Sequence, residues 1–187
     1  PQQDLITALV EVEEQGEKLN GHELIAMCVL LLNAGHEASV NGFGNGMVAM
    51  FRNAEQLELM KSSPRGLTET ALEEMMRFDS PLHMFERTAT SETIIGETTV
   101  LVGQKVVAML GSANRDEEVF ENTDQFDITR KHNPHIAFGA GIHFCIGAPL
   151  ARLEMQNSLP MMFERFPKLQ LAGTPVQRPT FVLRGWE

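Results

Sequence analysis

The chain has 187 residues, 43% hydrophobic and 21% charged, enough for one domain with a buried core or for part of a larger domain. Its 25 acidic and 15 basic side chains give a formal net charge of −10, which argues against non-specific nucleic-acid binding. Its two cysteines, Cys28 and Cys145, are too few for a disulfide framework and fit a reducing compartment.

The N-terminal third is predicted to be helical. Apolar residues recur at helical spacing over residues 4–15, and Gly16 is predicted to end that helix. Residues 21–53 predict one long helix, about 50 Å at 1.5 Å per residue. Its four interior glycines, at positions 35, 42, 44 and 46, each cost about 1 kcal/mol relative to alanine, so this helix needs tertiary support. The longest apolar run, residues 24–32, is too short to span a bilayer. With no signal peptide visible, we expect a soluble cytoplasmic protein without membrane contact.

The rest of the chain alternates helical, β and irregular character. Shorter helices are predicted over 54–62 and 67–78, separated by a breaker segment that contains Pro64 and Gly66. The Thr, Val and Ile of residues 84–110 predict short β-structure. After an irregular loop, a last long helix is predicted over residues 149–166. Two short strands are predicted to follow it, at 168–171 and 180–183. The fold class predicted is mainly α with small β-sheets (α+β).

A glycine-rich loop, residues 138–147, carries Cys145 immediately before the last predicted helix. Glycines let the backbone pass close to a flat, bulky group because no Cβ is in the way. The start of the helix offers unpaired N–H groups and a positive dipole end, which favour a thiolate. The other interpretation of an isolated cysteine is a small buried hydrophobe. A single soft ligand without Cys or His partners at zinc or iron–sulfur spacing suits haem.

This loop resembles the haem-ligand signature of the cytochrome P450 family, and it meets every fixed position of that pattern. The resemblance implies the cytochrome P450 fold and a haem b cofactor whose iron is bound by Cys145. It also implies that Phe138, Gly139 and Gly147 lie against the cofactor and that His143 contacts a haem propionate.

Complete members of the family need about a second chain of this size before the first motif found here. We therefore expect residues 1–187 to be the C-terminal, haem-binding portion of a single cytochrome P450 domain, with the N-terminal half absent. On the resemblance, this portion contains the long central helix, the Glu-x-x-Arg helix, the Cys-ligand loop and the final long helix.

Glu74 and Arg77 lie three residues apart on one predicted helix. Alone, such a pair is usually a solvated surface pair worth under about 1 kcal/mol. The resemblance implies instead a buried structural network of Glu74, Arg77 and Arg130 that fixes the loop carrying the cysteine.

Two further segments match family positions near the cofactor. Arg87 matches an arginine that reaches a haem propionate, although a surface strand arginine is the alternative. Leu82, His83 and Met84 correspond to the segment along the distal haem edge and are candidates for substrate contact. A histidine among apolar residues is equally often a packing or surface residue, and His83 stays open between these roles.

The long helix carries a segment that resembles the family's oxygen-activation segment. Gly35 would leave room for dioxygen, and Glu37 would supply the acid for proton delivery. Ala38 stands where Thr or Ser is expected, and the nearest hydroxyl belongs to Ser39. One residue turns about 100° around a helix, so Ser39 need not face the same space. Ser39, water or a substrate hydroxyl could supply the missing group, or oxygen activation could be poor.

The resemblance implies a haem-thiolate monooxygenase that inserts one oxygen atom from O₂ into a small hydrophobic substrate. Electrons would come from a ferredoxin and its reductase. Two alternatives stay open. One is a truncated or non-catalytic haem-binding domain, whose uncovered long helix would favour self-association. The other is a haem protein that uses peroxide or senses a ligand, which Ala38 makes more credible.

Overall fold

The computed structural model describes residues 3–14 and 17–187, and the chain forms two compact units, Pro1–Ala38 and Ser39–Glu187. The secondary structure is helix-rich with three two-stranded antiparallel sheets. The predicted fold class, mainly α with small β-sheets, is therefore confirmed.

The first helix, α1 (Leu5–Glu11), is shorter than predicted. Its N-cap is Asp4, whose carboxylate accepts the Thr7 N–H at 2.8 Å. The prediction of helix to residue 15 is wrong beyond Glu11, because Val12 has extended dihedrals and the last turn carries an acid and no basic residue. The strands β1 (Glu13–Glu14) and β2 (Glu17–Lys18) then form an antiparallel pair. The predicted end at Gly16 lies outside the described residues.

The long helix α2 (Gly21–Arg52) confirms the predicted central helix. Asn20 and Glu23 form a reciprocal cap. The Asn20 side chain accepts the Glu23 N–H at 3.1 Å, and the Glu23 carboxylate accepts the Asn20 N–H at 2.8 Å. An 18-residue window of α2 has a mean hydropathy of 1.3, so length and composition alone would let it cross a membrane. None of that window is buried within this chain, and both a core helix of a soluble protein and a signal sequence meet the same criterion.

Two glycines of α2 allow close approach to a second helix. A Cβ at Gly46 would lie 2.2 Å from the Met75 Cε atom, and one at Gly42 would lie 3.2 Å from the Met76 Sδ atom. Both methionines belong to α4 (Pro64–Phe78), which follows α3 (Ala54–Ser62). These contacts supply the tertiary support that a glycine-rich helix requires.

The breaker segment predicted at 64–66 is wrong. α4 begins at Pro64, since proline in the first helical turn loses no intrahelical hydrogen bond and its fixed φ is already helical. Thr68 lies inside the helix, where its hydroxyl donates to the Pro64 carbonyl at 2.6 Å.

The β region predicted over 84–110 is confirmed as two hairpin-like pairs. β3 (Phe85–Thr88) pairs with β6 (Lys105–Ala108), and β4 (Thr93–Ile95) pairs with β5 (Thr98–Val100). The turn residue Gly96 has a φ of 60°, which glycine adopts without strain.

The last part of the chain is mostly irregular apart from one long helix. A short helix, α5 (Leu110–Ala113), precedes a loop that runs to a 3₁₀ turn at Gly141–His143. α6 (Ala148–Arg165) confirms the predicted last helix within one residue at each end. The strands predicted at 168–171 and 180–183 are wrong. Only an isolated bridge, between Leu82 and Leu183, occurs in the second of these segments. Pro81, which precedes Leu82, has no backbone N–H and cannot donate a hydrogen bond that would extend this bridge into a β-ladder.

The core of the second unit lies where α2, α3, α4 and α6 meet the irregular loop. Methionines fill much of it, as flexible side chains do in irregular spaces. Its fully buried members include Met50, Met60, Leu72, Met75, Ile128 and Leu159.

Candidate functional site

The free thiol of Cys145 is exposed in the loop that leads into α6. The Cys145 N–H donates to the Phe138 carbonyl at 2.9 Å, and the Cys145 carbonyl accepts the Ala148 N–H at 3.1 Å. Gly147 is the N-cap of α6 and offers no side-chain cap. The positive end of the α6 dipole therefore begins three residues after Cys145. A helix N-terminus favours negative charge nearby, such as that of a thiolate.

Two glycines with positive φ values let the backbone of the cysteine loop turn back on itself. Gly139 and Gly141 have φ values of 74° and 66°, in the left-handed region that side chains disfavour. The Gly139 N–H donates to the Ile136 carbonyl at 2.9 Å, which closes the turn before the 3₁₀ segment. The loop thus folds back, so that Cys145 is hydrogen-bonded to Phe138, seven residues earlier.

A network that sequence reasoning missed lies behind this loop. The Glu73 carboxylate on α4 accepts from Arg152 Nε at 2.6 Å and from Arg152 Nη2 at 2.9 Å. It also contacts His135 Nε2 at 2.8 Å. The Arg152 guanidinium lies 4.5 Å from the centre of the Phe138 ring. Burial raises the pKa of Glu73, but the hydrogen bonds from Arg152 and His135, together with the charge of Arg152, outweigh it and lower that pKa to about 2.

Glu74 lies beside Glu73 and belongs to a second network, whose Glu74–Arg77 pair is fully buried. Its carboxylate is paired with Arg77 through two bonds of 2.8 and 2.9 Å, and neither side chain is exposed. Arg130 Nε donates to Glu74 at 3.1 Å. The Asp127 N–H donates to it at 2.9 Å. The structure thus brings together the three residues Glu74, Arg77 and Arg130 and ties them to the irregular loop.

Arg77 also organises the loop backbone directly. Its Nη1 atom donates to the carbonyls of Asn114 and Thr123, each at 2.9 Å, and its Nη2 atom donates to the Gln125 carbonyl at 3.2 Å. One buried guanidinium therefore satisfies three loop carbonyls that could not reach a backbone partner.

The two residues proposed to contact propionates are both exposed. His143 ends the 3₁₀ turn, two residues before the cysteine. Arg87 lies on β3, where its guanidinium donates to the Glu86 carbonyl at 2.9 Å and lies 5.4 Å from the centre of the Phe85 ring.

The segment Leu82, His83 and Met84 is half-buried. Leu82 forms the isolated bridge with Leu183. The His83 ring lies 5.9 Å from that of Phe181, and its Nε2 atom is 3.8 Å from the Asp79 carboxylate. His83 also lines a cavity of about 450 Å³ that is bordered by charged side chains, including those of Arg52, Arg115 and Arg184.

The segment predicted to take part in oxygen activation lies within the continuous helix α2. Gly35 and Glu37 are exposed, and a Cβ at Gly35 would meet nothing within 4 Å. Ser39 is half-buried and belongs to the second unit.

The surroundings of Cys145 fit a large apolar cofactor. Ile142 and Ile146 are 98% and 92% exposed, and Phe144 is half-exposed, so the exposed Cys145 belongs to a loop with exposed apolar side chains on both sides of it in sequence. Such a patch suits a flat hydrophobic ligand. Across residues 3–14 and 17–187, no cluster of three or more His, Cys, Asp or Glu side chains could hold a metal ion. The exposed free thiol of Cys145 fits haem, which needs one thiolate ligand from the protein.

Known proteins resemble the whole chain. A family model described as Cytochrome P450 matches residues 1–181. Cytochrome P450 107B1 of Saccharopolyspora erythraea is 44% identical over 191 residues, which cover 100% of this chain and 47% of that protein.

Two solved structures agree in fold. P450BioI in complex with hexadec-9Z-enoic acid ligated acyl carrier protein has a TM-score of 0.92 and 42% identity, with 100% of this chain and 48% of that chain covered. Cytochrome P450 PksS of the bacillaene polyketide synthase, from Bacillus subtilis, has a TM-score of 0.92 and 40% identity, with 100% and 49% covered.

The chain spans about half the length of the curated relatives it matches. The match nevertheless covers nearly every residue of the chain, and its fold and its cysteine loop agree with the same assignment. The chain belongs to the cytochrome P450 family.

Proposed function

We propose that the protein from which this chain comes is a haem-thiolate monooxygenase and that residues 1–187 are the C-terminal, haem-binding portion of its single domain. The observation that carries the proposal is the exposed Cys145 thiol just before α6, in a loop where the Cys145 backbone N–H donates to the Phe138 carbonyl. Family membership makes haem the expected cofactor. We propose haem b as its form.

Several side chains would hold the cofactor. Cys145 would ligate the iron, with Phe138, Gly139 and Gly147 against the same face of the macrocycle. His143 and Arg87 would bind propionates through charged or polar nitrogen atoms. When bound, a haem iron with a thiolate ligand activates dioxygen and favours cleavage of the O–O bond.

Proton supply would fall to the middle of α2. The Glu37 carboxylate is exposed and can exchange protons with water, while Gly35 keeps its surroundings free of side-chain bulk. With alanine at position 38, the Ser39 hydroxyl is the nearest side-chain group that could take over a relay.

The substrate would be a small hydrophobic molecule in contact with Leu82, His83 and Met84. The relative P450BioI, crystallised with a fatty acid ligated to acyl carrier protein, supports this class and makes a carrier-bound acyl chain one form to test. We propose a ferredoxin and its reductase as electron donors and the cytoplasm as location, in keeping with bacterial relatives.

Oxygen-isotope labelling tests the reaction. The complete protein is supplied with ferredoxin, reductase, NADPH and ¹⁸O₂, and is offered hexadec-9Z-enoic acid both free and linked to acyl carrier protein. We expect one ¹⁸O atom in each product molecule. Product formed with hydrogen peroxide but never with the electron donors would favour the peroxide-using alternative, which Ala38 supports. No product from any arm would count against the monooxygenase.

A second candidate is a fragment that does not turn over. Four apolar side chains on the first part of α2 are more than half exposed: Ile25, Val29, Leu30 and Leu32. Exposed apolar surface of this kind favours self-association. Titrating residues 1–187 with haem while measuring particle size separates the two cases. A cofactor-binding portion gives stoichiometric haem uptake by a monomer, whereas an incomplete fragment gives large particles without a defined haem ratio.

A further inference from the structure

Two ion pairs bridge α4 and α6, and they differ in surroundings. One joins Arg65 to Glu164 and is exposed to water, with side-chain exposures of 70% and 41%. The other joins Glu73 to Arg152 and lies next to the Cys145 loop. The Arg65–Glu164 pair already links α4 to α6. The Glu73–Arg152 pair therefore has room for a role other than linking these two helices.

The Glu73 carboxylate serves two partners that reach the same stretch of loop. Arg152 occupies both carboxylate oxygens and lies over the Phe138 ring. His135 meets the carboxylate through Nε2, and its Nδ1 atom accepts the Ala137 N–H at 3.2 Å. Since Nδ1 accepts, the ring proton is assigned to Nε2, which donates to Glu73.

The Arg152 arm ends on the Phe138 ring, and the His135 arm ends on the backbone N–H of Ala137, the residue before Phe138. The Phe138 carbonyl in turn accepts the Cys145 N–H at 2.9 Å. A continuous path of hydrogen bonds and one ring contact thus runs from Glu73 to the backbone of the cysteine. The His135 side chain is only 2% exposed, whereas the Glu73 and Arg152 side chains are 23% and 30% exposed, so the His135 arm is the one shielded from competing water.

We propose that Glu73 is a positioning residue for Cys145, acting through Arg152 and His135 to hold the Phe138 segment and so fix where the thiolate meets the haem iron. The pKa of Arg152 is raised by its hydrogen bond to Glu73, against an opposing effect of burial and with help from the charges of Glu73 and Cys145. Arg152 thus stays a cation near the sulfur. The inference rests on the proposed haem-thiolate function.

Glu73→Gln in the complete haem-loaded protein tests it. A glutamine side chain has one oxygen that accepts and one NH₂ group that donates. It therefore cannot accept hydrogen bonds from both Arg152 nitrogen atoms and from His135 Nε2, as the two carboxylate oxygens of Glu73 do. Residues that orient a metal ligand typically change metal affinity by about 10–100-fold when mutated. We expect haem loss to be at least about tenfold faster, with a shifted iron reduction potential and a larger fraction of reduced, carbon-monoxide-bound protein lacking the red-shifted Soret band.

Glu164→Gln is the matched control, because it removes a carboxylate from an arginine bridging the same two helices. We expect wild-type haem retention, potential and spectrum from it. Arg152→Lys is the second variant and remains informative if Glu73→Gln fails to fold. It retains the positive charge but loses the planar fork and the ring contact, and we expect a shift in the same direction.

The outcomes are distinguishable. A wild-type protein without the red-shifted band would contradict the proposed function itself. A wild-type protein with that band, together with Glu73→Gln and Arg152→Lys variants that retain its potential and its haem, would overturn the positioning role. Lower thermal stability with an unchanged potential and spectrum would also overturn it, since that is the result for a purely structural ion pair.

Discussion

Glu74→Gln is the substitution whose effect on the free energy of unfolding the structure defines best. Glu74 is the carboxylate that faces two guanidinium groups, those of Arg77 and Arg130. Both Glu74 and Arg77 are fully buried, so removing the negative charge leaves a buried cation without its counterion. Breaking a buried pair in this way costs about 3–5 kcal/mol. For a chain of this size that corresponds to a fall of about 6–20 °C in the unfolding midpoint.

Glu58→Gln is the control for that measurement. Glu58 pairs with Lys61 at the same i,i+3 spacing, 2.9 Å apart, but the Glu58 side chain is 72% exposed. An exposed pair contributes about 0–1 kcal/mol, so its midpoint should fall by no more than about 4 °C. Circular dichroism during heating gives both midpoints. Equal shifts for the two variants would refute the reasoning that burial makes the Glu74 network costly to break.

Three further predictions use other parts of the chain. The pKa of Glu73 is lowered from 4.5 to about 2, so its contribution to stability is complete above pH 4.5 and is lost as the pH falls toward 2. Urea unfolding at pH 3 and pH 6 should therefore show a weaker acid dependence for Glu73→Gln than for the wild type. Gly46→Ala should destabilise the chain by about 1–3 kcal/mol, since its Cβ would overlap Met75. Gly44→Ala, which meets nothing within 4 Å, should be neutral or stabilise it by up to about 1 kcal/mol in the same urea assay. Ser39→Ala should lower the share of reducing equivalents that appear in product, and unchanged coupling would remove Ser39 from proton delivery.

Local patterns predicted the helices well where apolar periodicity and capping residues agreed. α2 is such a case, with Asn20 and Glu23 at its start. Pro64 was misassigned as a breaker because a proline between two helical patterns fits a linker and a first helical turn equally well. The strands predicted near the C-terminus failed for a different reason. β propensity does not supply a partner, and the neighbouring segment contains Pro81.

The cysteine loop could be predicted because its residues are contiguous in the sequence and because two of its glycines, Gly139 and Gly141, adopt positive φ values that other residues disfavour. The Glu73 network could not be predicted, since its partners lie 62 and 79 positions away along the chain. Each of its residues has an ordinary surface interpretation in a single sequence. The one available signal was a second acid beside Glu74, which also fits a solvated helix face.

The central claim is that the Cys145 sulfur binds haem iron, and the most direct test is the absorption spectrum of the complete protein after reduction under carbon monoxide. We expect the red-shifted Soret band of thiolate ligation in the wild type and its loss in Cys145→Ala. Cys28→Ala, which removes the other free thiol, should leave the band intact. A red-shifted band that survives in Cys145→Ala would contradict the account.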